Sequence, residues 1–267
     1  MIQTFPQPKR QYQEIGIKLY EEFCRKNFQV GDKLPTERDI AERFDISRAV
    51  VREALIMLEL MELIEIRKGS GIYLIKQLDE EQPEGELASS IEKDDVGPFE
   101  MMQARQLLES HVAEFAATQA TKKDILKMRQ ALELEKQNLE MSDLNIGTSN
   151  LNMETPSHDG DKLFHLAIAE ATQNSVLIDL VENLWTRREN SPMWKQLHTH
   201  ITDPSYRKQW LVDHENILLA IQQKKPDLAR QSMWRHLENV KDSLLALSEH
   251  QDPNFDGFLF SSNPVQI

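Results

Sequence analysis

Hydrophobic residues recur at three- and four-residue steps along most of this chain, the pattern of amphipathic helices. Tyr12, Ile15, Leu19 and Phe23 form one such stripe and predict a helix over residues 11–27, followed by the turn signal Gly31-Asp32. Thr36 with Asp39 three residues later is a capping-box start, and Pro35 before it fits a boundary, so a second helix is expected to run to about Phe44. Asp45-Ile46-Ser47 reads as a turn, with Ser47 the N-cap of a third helix at roughly 48–61. Val51, Ala54, Leu55 and Leu58 form the core-facing stripe of that helix. The period then changes: residues 63–67 and 71–75 are rich in β-formers, and Lys68-Gly69-Ser70-Gly71 supplies a hairpin turn between them. Residues 77–97 are polar and acidic with Pro and Gly, the composition of a linker.

From Pro98 to about His250 the pattern is helical again. A first long helix carries Phe99, Met102, Val112, Phe115 and Ala116, and others are expected at about 122–140, 161–171, 174–190, 205–223 and 226–248. Residues 142–160 show no period and are expected as a long loop, and residues 251–267 as a tail. The predicted fold class is mainly α: a head at 10–76 of three helices plus a β-hairpin, and an all-helical bundle at 98–250.

Composition narrows the function classes. The chain's 267 residues suffice for one large domain or two ordinary ones. The single cysteine, Cys24, argues against a disulfide-built protein. The first residues carry no apolar signal core, and no run approaches the roughly 18 apolar residues of a membrane span, so a cytoplasmic protein with no membrane partner is expected. A net charge of −13 would alone argue against a nucleic-acid partner. Its distribution changes the picture: residues 1–76 hold 13 Lys and Arg against 12 Asp and Glu, a net of +1, and the remainder carries −14. An acidic body repels DNA except where cations of the head are aimed at it, so DNA binding should be local and salt-sensitive.

A helix that reads the major groove needs donors on one face near its N-terminus. Ser47, Arg48 and Arg52 supply them, the two arginines four apart and on one face. Arg38, near the start of the preceding helix, is in reach of a phosphate or base edge, and Lys68 with Gly69 at the hairpin tip suits the minor groove. An isolated Arg-x-x-x-Arg also fits an ordinary solvated helix; the order of the elements favours DNA.

The string LPTERDIAERFDISRAVVREAL…IEIRKGSGIYL resembles the winged helix-turn-helix of the GntR family of bacterial regulators. The resemblance implies that Arg38, Ser47, Arg48, Arg52, Lys68 and Gly69 occupy DNA-contacting positions. It also implies a homodimer reading double-stranded DNA at a palindromic operator. Ala49 stands where the family often has Thr, and Met61-Glu62 where Glu-Gly is common, so the third helix is expected to end without a glycine cap.

In the acidic body, Asp161 and His165 lie four apart, and His214 and His236 sit on two later helices. Three imidazoles with a carboxylate suit a divalent transition metal, zinc foremost, with nickel or manganese also compatible. Asp-x-x-x-His alone is weak, because His111, His158, His198, His200 and His250 show histidines to spare. The order Arg105/Glu109, Asp161-x-x-Phe164-His165, His214 to Ile221, and Met233/His236 resembles the ligand-binding domain of the FadR subfamily, which implies that Asp161, His165, His214 and His236 hold a metal. Four protein ligands on an octahedral ion would leave two positions for a small acid with a neighbouring oxygen. Arg105 suits its carboxylate, or else a structural pair with Glu109; Asn174, Arg187 and Arg188 are further effector candidates. The segments GPFEMMQARQLLESHVAEFAATQAT, NSPMWKQLHTHI, MWRHLENVK and FLFSSNP resemble regulators of hexuronate utilisation. That implies repression of galacturonate and glucuronate catabolic genes, relieved by a hexuronate or its keto isomer. The chemistry alone accepts gluconate, lactate or citrate equally. A metal-dependent hydrolase is the alternative class, but Asp161 would be occupied as a ligand and no further carboxylate shows a clear general-base role.

Overall fold

The structure, a computed structural model, describes residues 10–78, 96–145, 159–201 and 206–247. Most of the linker expected at 77–97 and all of the tail expected at 251–267 lie outside the described residues.

The head begins with α1 (Gln11–Arg25), whose Tyr12, Ile15, Leu19 and Phe23 are all buried, as their spacing predicts. Next comes α2 (Glu37–Phe44): Thr36 and Asp39 form a reciprocal capping box, Thr36 Oγ1 accepting from Asp39 N at 3.1 Å and Asp39 Oδ2 accepting from Thr36 N at 3.2 Å. Ser47 caps α3 (Arg48–Leu60), which lays Val51, Ala54, Leu55 and Leu58 onto α1 and α2. The hairpin follows as β1 (Ile64–Arg67) and β2 (Gly71–Leu74), antiparallel with Ile64 opposite Leu74 and Arg67 opposite Gly71. Residues 31–34 extend it on the far side of β2, where Gly31 N and Leu34 N donate to Leu74 O and Ile72 O at 2.8 Å each.

The end of α3 shows what the missing glycine does. Glu62 takes the left-handed conformation at φ 57°, Leu63 N donates to Leu58 O at 3.1 Å, and Glu62 N donates to Glu59 O at 2.9 Å. This is the hydrogen-bond pattern of a glycine-capped helix end, formed on a residue whose Cβ opposes it.

The body contains α4 (Pro98–Gln119), α5 (Lys122–Asn145), α6 (Asp159–Ala171), α7 (Ser175–Asn190), α8 (Pro192–Thr199), α9 (Tyr206–Gln222) and α10 (Pro226–Leu247). Central α4 presents Val112, Ala113, Ala116 and Ala117, small residues that let α10 pack close with Met233, Leu237 and Val240. The loop expected at 142–160 is shorter at both ends, since α5 continues to Asn145 and α6 starts at Asp159; residues 146–158 lie outside the described residues. Sequence periodicity does not disclose α8, eight residues long. Its start is nevertheless signalled by Ser191, whose Oγ accepts from Trp194 N at 3.1 Å, and by Pro192 in the first turn.

Head and body meet through α3. Glu53 Oε1 accepts from Phe99 N at 2.7 Å and Glu100 N at 2.9 Å, capping α4 from outside the chain's own neighbourhood. Gly97 makes this approach feasible, because a Cβ there would lie 2.4 Å from Glu53 Oε1. Burial pushes the Glu53 carboxyl up to about 7, against the two backbone donors that favour its charge.

Glu62→Gly should raise stability by about 0.5–1 kcal/mol in urea denaturation, the strain relieved exceeding the added unfolded-state entropy. Glu53, raised above its ordinary 4.5, contributes stability that is full below that value and lost as pH rises through about 7. Glu53→Gln, which keeps the Oε1 acceptor, should match the wild type at pH 4.5 and exceed it at pH 8.

Candidate metal centre and nucleic-acid interface

Helix spacing assembles the body's polar core. Asp161 and His165 share one face of α6, and α9 and α10 bring His214 and His236 to meet them. Gly160 permits the approach, since a Cβ there would lie 2.5 Å from the backbone nitrogen of Glu135 on α5. The three histidines are buried and offer ligand atoms within 4.8 Å of one another. His214 Nε2 and His236 Nε2 are 3.0 Å apart, and Asp161 Oδ1 is 3.4 Å from His165 Nε2 and 3.8 Å from His214 Nε2.

Behind each ring stands a carboxylate. His214 Nδ1 lies 2.8 Å from Glu135 Oε2, His165 Nδ1 abuts Glu109, and His236 Nδ1 is 3.6 Å from Asp213 Oδ2. A carboxylate on Nδ1 favours the tautomer that leaves Nε2 as a lone-pair donor facing inward. Both nitrogens of His165, and Nδ1 of His236, are buried without a well-formed hydrogen bond. Three convergent imidazoles and one carboxylate fit a borderline-soft divalent ion.

The charges are tuned by these contacts. Burial alone would raise the Asp161 pKa, but His165, Arg188 and His214 hold it well below the carboxylate range. Burial, then the proximity of His214, pushes His236 down to about 3, a ring kept neutral. Burial opposes charge on Glu109 too, yet Arg105 and His165 bring it down to about 2.

Beside Asp161 lies a small cavity of about 30 Å³, lined by Glu135, Asn138, Arg207 and Trp210 among others. None of these four was singled out in the sequence. Arg207, Trp210 and His214 are spaced three and four apart on α9, a face that becomes legible once His214 is known to point inward.

In the head, Arg38 is exposed and pairs with Glu42 at 3.0 Å, while Ser47 is half-buried, its Oγ accepting from Val50 N at 3.4 Å. Lys68 and Gly69 are exposed at the hairpin tip, Gly69 at φ 69°. Arg48 is largely buried, 3.8 Å from Glu37. Arg52 corrects the expectation of a groove-facing donor: it is fully buried, with Nε and Nη2 each 2.5 Å from the Glu37 carboxylate. A spacing of four put both arginines on one side of α3, and that side faces α2.

Residues 11–74 match the bacterial regulatory proteins of the gntR family, and residues 100–239 match the FCD domain. The chain is 49% identical over 258 residues to the Uxu operon regulator of Haemophilus influenzae, covering 97% of this chain and 91% of that one. It is 49% identical to the Uxu operon transcriptional regulator of Escherichia coli K12, covering 96% and 95%. It is 42% identical to the Exu regulon transcriptional regulator of the same strain, covering 97% and 94%. This chain belongs to the GntR family. It is a DNA-binding transcription regulator of the FadR type, whose winged helix-turn-helix head precedes an all-helical FCD body.

The structure of this GntR regulator sorts the effector candidates. Arg188 on α7 stays at the centre, 3.4 Å from Asp161 and stacked 4.5 Å from the rings of both Trp185 and Trp194. Arg105 is tied to Glu109 at 2.6 Å, the structural pair rather than an open cation. Asn174 lies outside the site, since its Oδ1 accepts from Val176 N at 3.0 Å and Leu177 N at 3.3 Å to cap α7. Arg187 is exposed, turned away from its buried neighbour by one helical step.

No described helix is long and apolar enough to cross a membrane. Arg52→Ala should destabilise the protein by about 3 kcal/mol in urea denaturation, because Glu37 would be left buried without its main partner. Arg38→Ala, an exposed pair, should cost less than about 0.5 kcal/mol.

Proposed function

We propose that this regulator is a homodimeric, cytoplasmic, metal-dependent repressor of hexuronate catabolic genes. A hexuronate or its keto isomer, bound at the Asp161/His165/His214/His236 centre, releases it from a palindromic operator. The observation that carries the reading is the buried cluster of three imidazoles and Asp161, each ring backed by a carboxylate. Zinc is the foremost ion, with nickel or manganese compatible. When bound, the ion would supply Lewis acidity toward a ligand carboxylate and its neighbouring oxygen.

This chain's own residues would do the rest. Glu109, Glu135 and Asp213 orient the rings, and Arg188 offers cationic charge beside Asp161. Arg207 and Asn138, which line the small cavity beside Asp161, would serve as donors for the oxygens of the acid. Full-length similarity to regulators named for the Uxu operon and the Exu regulon supports the hexuronate assignment. On DNA, Arg38, Ser47, Arg48, Lys68 and Gly69 would make the contacts, and Arg52 would act through Glu37 by fixing α3 on α2.

Release requires the effector to favour one arrangement of the heads over another. In a mobility-shift assay on the protein's own upstream DNA, galacturonate, glucuronate, fructuronate or tagaturonate at millimolar concentration should abolish the shifted band. His214→Ala should carry well under half the wild-type metal content and fail to respond to the sugar acid. A full response from metal-stripped protein would contradict the reading. Release by gluconate, lactate or citrate but by no hexuronate would move the effector to another hydroxy acid.

A further inference from the structure

Helix α8 touches both the metal centre and the reading helix. At its start, Trp194 lies under Arg188, whose guanidinium is 4.5 Å from that ring and 3.4 Å from Asp161. In its last turn and just beyond it, Gln196 Nε2 donates to Glu59 Oε2 at 2.9 Å and His200 Nε2 lies 2.7 Å from the same oxygen. Glu59 belongs to the last turn of α3, and its other oxygen accepts from Ile66 N of β1 at 3.0 Å. One carboxylate therefore joins reading helix, wing and body. The pair is enclosed, with His200 and Glu59 side chains only 10% and 11% exposed. Enclosure strengthens such contacts, because little solvent competes for them.

Resting on the sugar-acid reading above, we propose that α8 is the coupling element of this regulator. Arg188 is its sensor at the effector site, and Glu59 with Gln196 and His200 is its latch on the reading head. Arg188 divides its charge between Asp161 and two indole faces. An acid ligand arriving beside Asp161 supplies a competing carboxylate, so the position of the guanidinium depends on occupancy. Trp194 carries that dependence into a helix only about 12 Å long, short enough to move as a rigid body. The far end then tightens or breaks the bonds to Glu59, which sets where α3 and the wing stand on the body. None of the latch residues needs to touch DNA, effector or metal.

The test is operator affinity with and without saturating galacturonate, alongside galacturonate affinity and metal content, in the full-length wild type and in His200→Ala/Gln196→Ala and Glu59→Gln. The latch variants should bind galacturonate within about twofold of wild type and retain full metal. The ligand-induced change in operator affinity should shrink from tenfold or more to about threefold or less. Glu59→Gln keeps the acceptor for Ile66 N, so loss of coupling there cannot be laid to a disrupted wing. Variants that couple as the wild type does would overturn the proposal. A wild type that binds no sugar acid would instead sink the reading on which it rests. Hydrogen exchange of the ligand-free protein separates the two cases: His200→Ala should speed exchange at residues 59–63 and 196–200 but not in α1. Unchanged exchange there overturns the latch whatever the effector.

Discussion

The body of this regulator depends on burying charges that satisfy one another. Asp161 is held between two histidines and Arg188, His165 stands between Asp161 and Glu109, and Glu109 is bound to Arg105. Isolated, each of these groups would cost several kcal/mol to bury, and together they form a network in which removal of one strands its neighbours. Four helices must be in register for the network to close. Gly160 keeps α6 against α5, and the small residues of α4 admit α10. The same arrangement that resolves the burial problem points three Nε2 atoms at one place.

The head solves a similar problem on a smaller scale. Glu37 and Arg52 form a buried pair that locks α2 to α3, so the reading helix is positioned by charge as well as by its apolar stripe. From the middle and the last turn of α3, Glu53 and Glu59 reach into the body, one capping α4 and the other holding α8. Reading helix and ligand-binding body are thus joined by hydrogen bonds to two carboxylates six positions apart in sequence, roughly a third of a turn from one another around α3.

Much of this was legible in the sequence. The stripe of Tyr12, Ile15, Leu19 and Phe23, the capping box of Thr36 and Asp39, and the hairpin around Gly69 rest on local rules, and they stand in the structure. Asp161, His165, His214 and His236 were legible as a set only through family resemblance, because their meeting depends on packing between helices far apart in the chain. What stayed hidden was nonlocal. Spacing shows that Arg48 and Arg52 share a face but not that Glu37 claims it. It shows Asn174 as polar but not as a cap, and it gives no hint that Glu135 backs His214 from 79 residues away. Helix α8 escaped because eight residues give too few turns for a period to emerge, although Ser191-Pro192 announced its start.

X-ray absorption at the metal edge of the purified full-length protein separates a resident metal centre from a purely structural polar core. The expected result is a first-row divalent ion with an imidazole-dominated nitrogen and oxygen shell, losing imidazole scattering in His165→Ala, His214→Ala and His236→Ala. Protein free of metal after growth in metal-replete medium, or an ion whose shell is unchanged in all three variants, would contradict it.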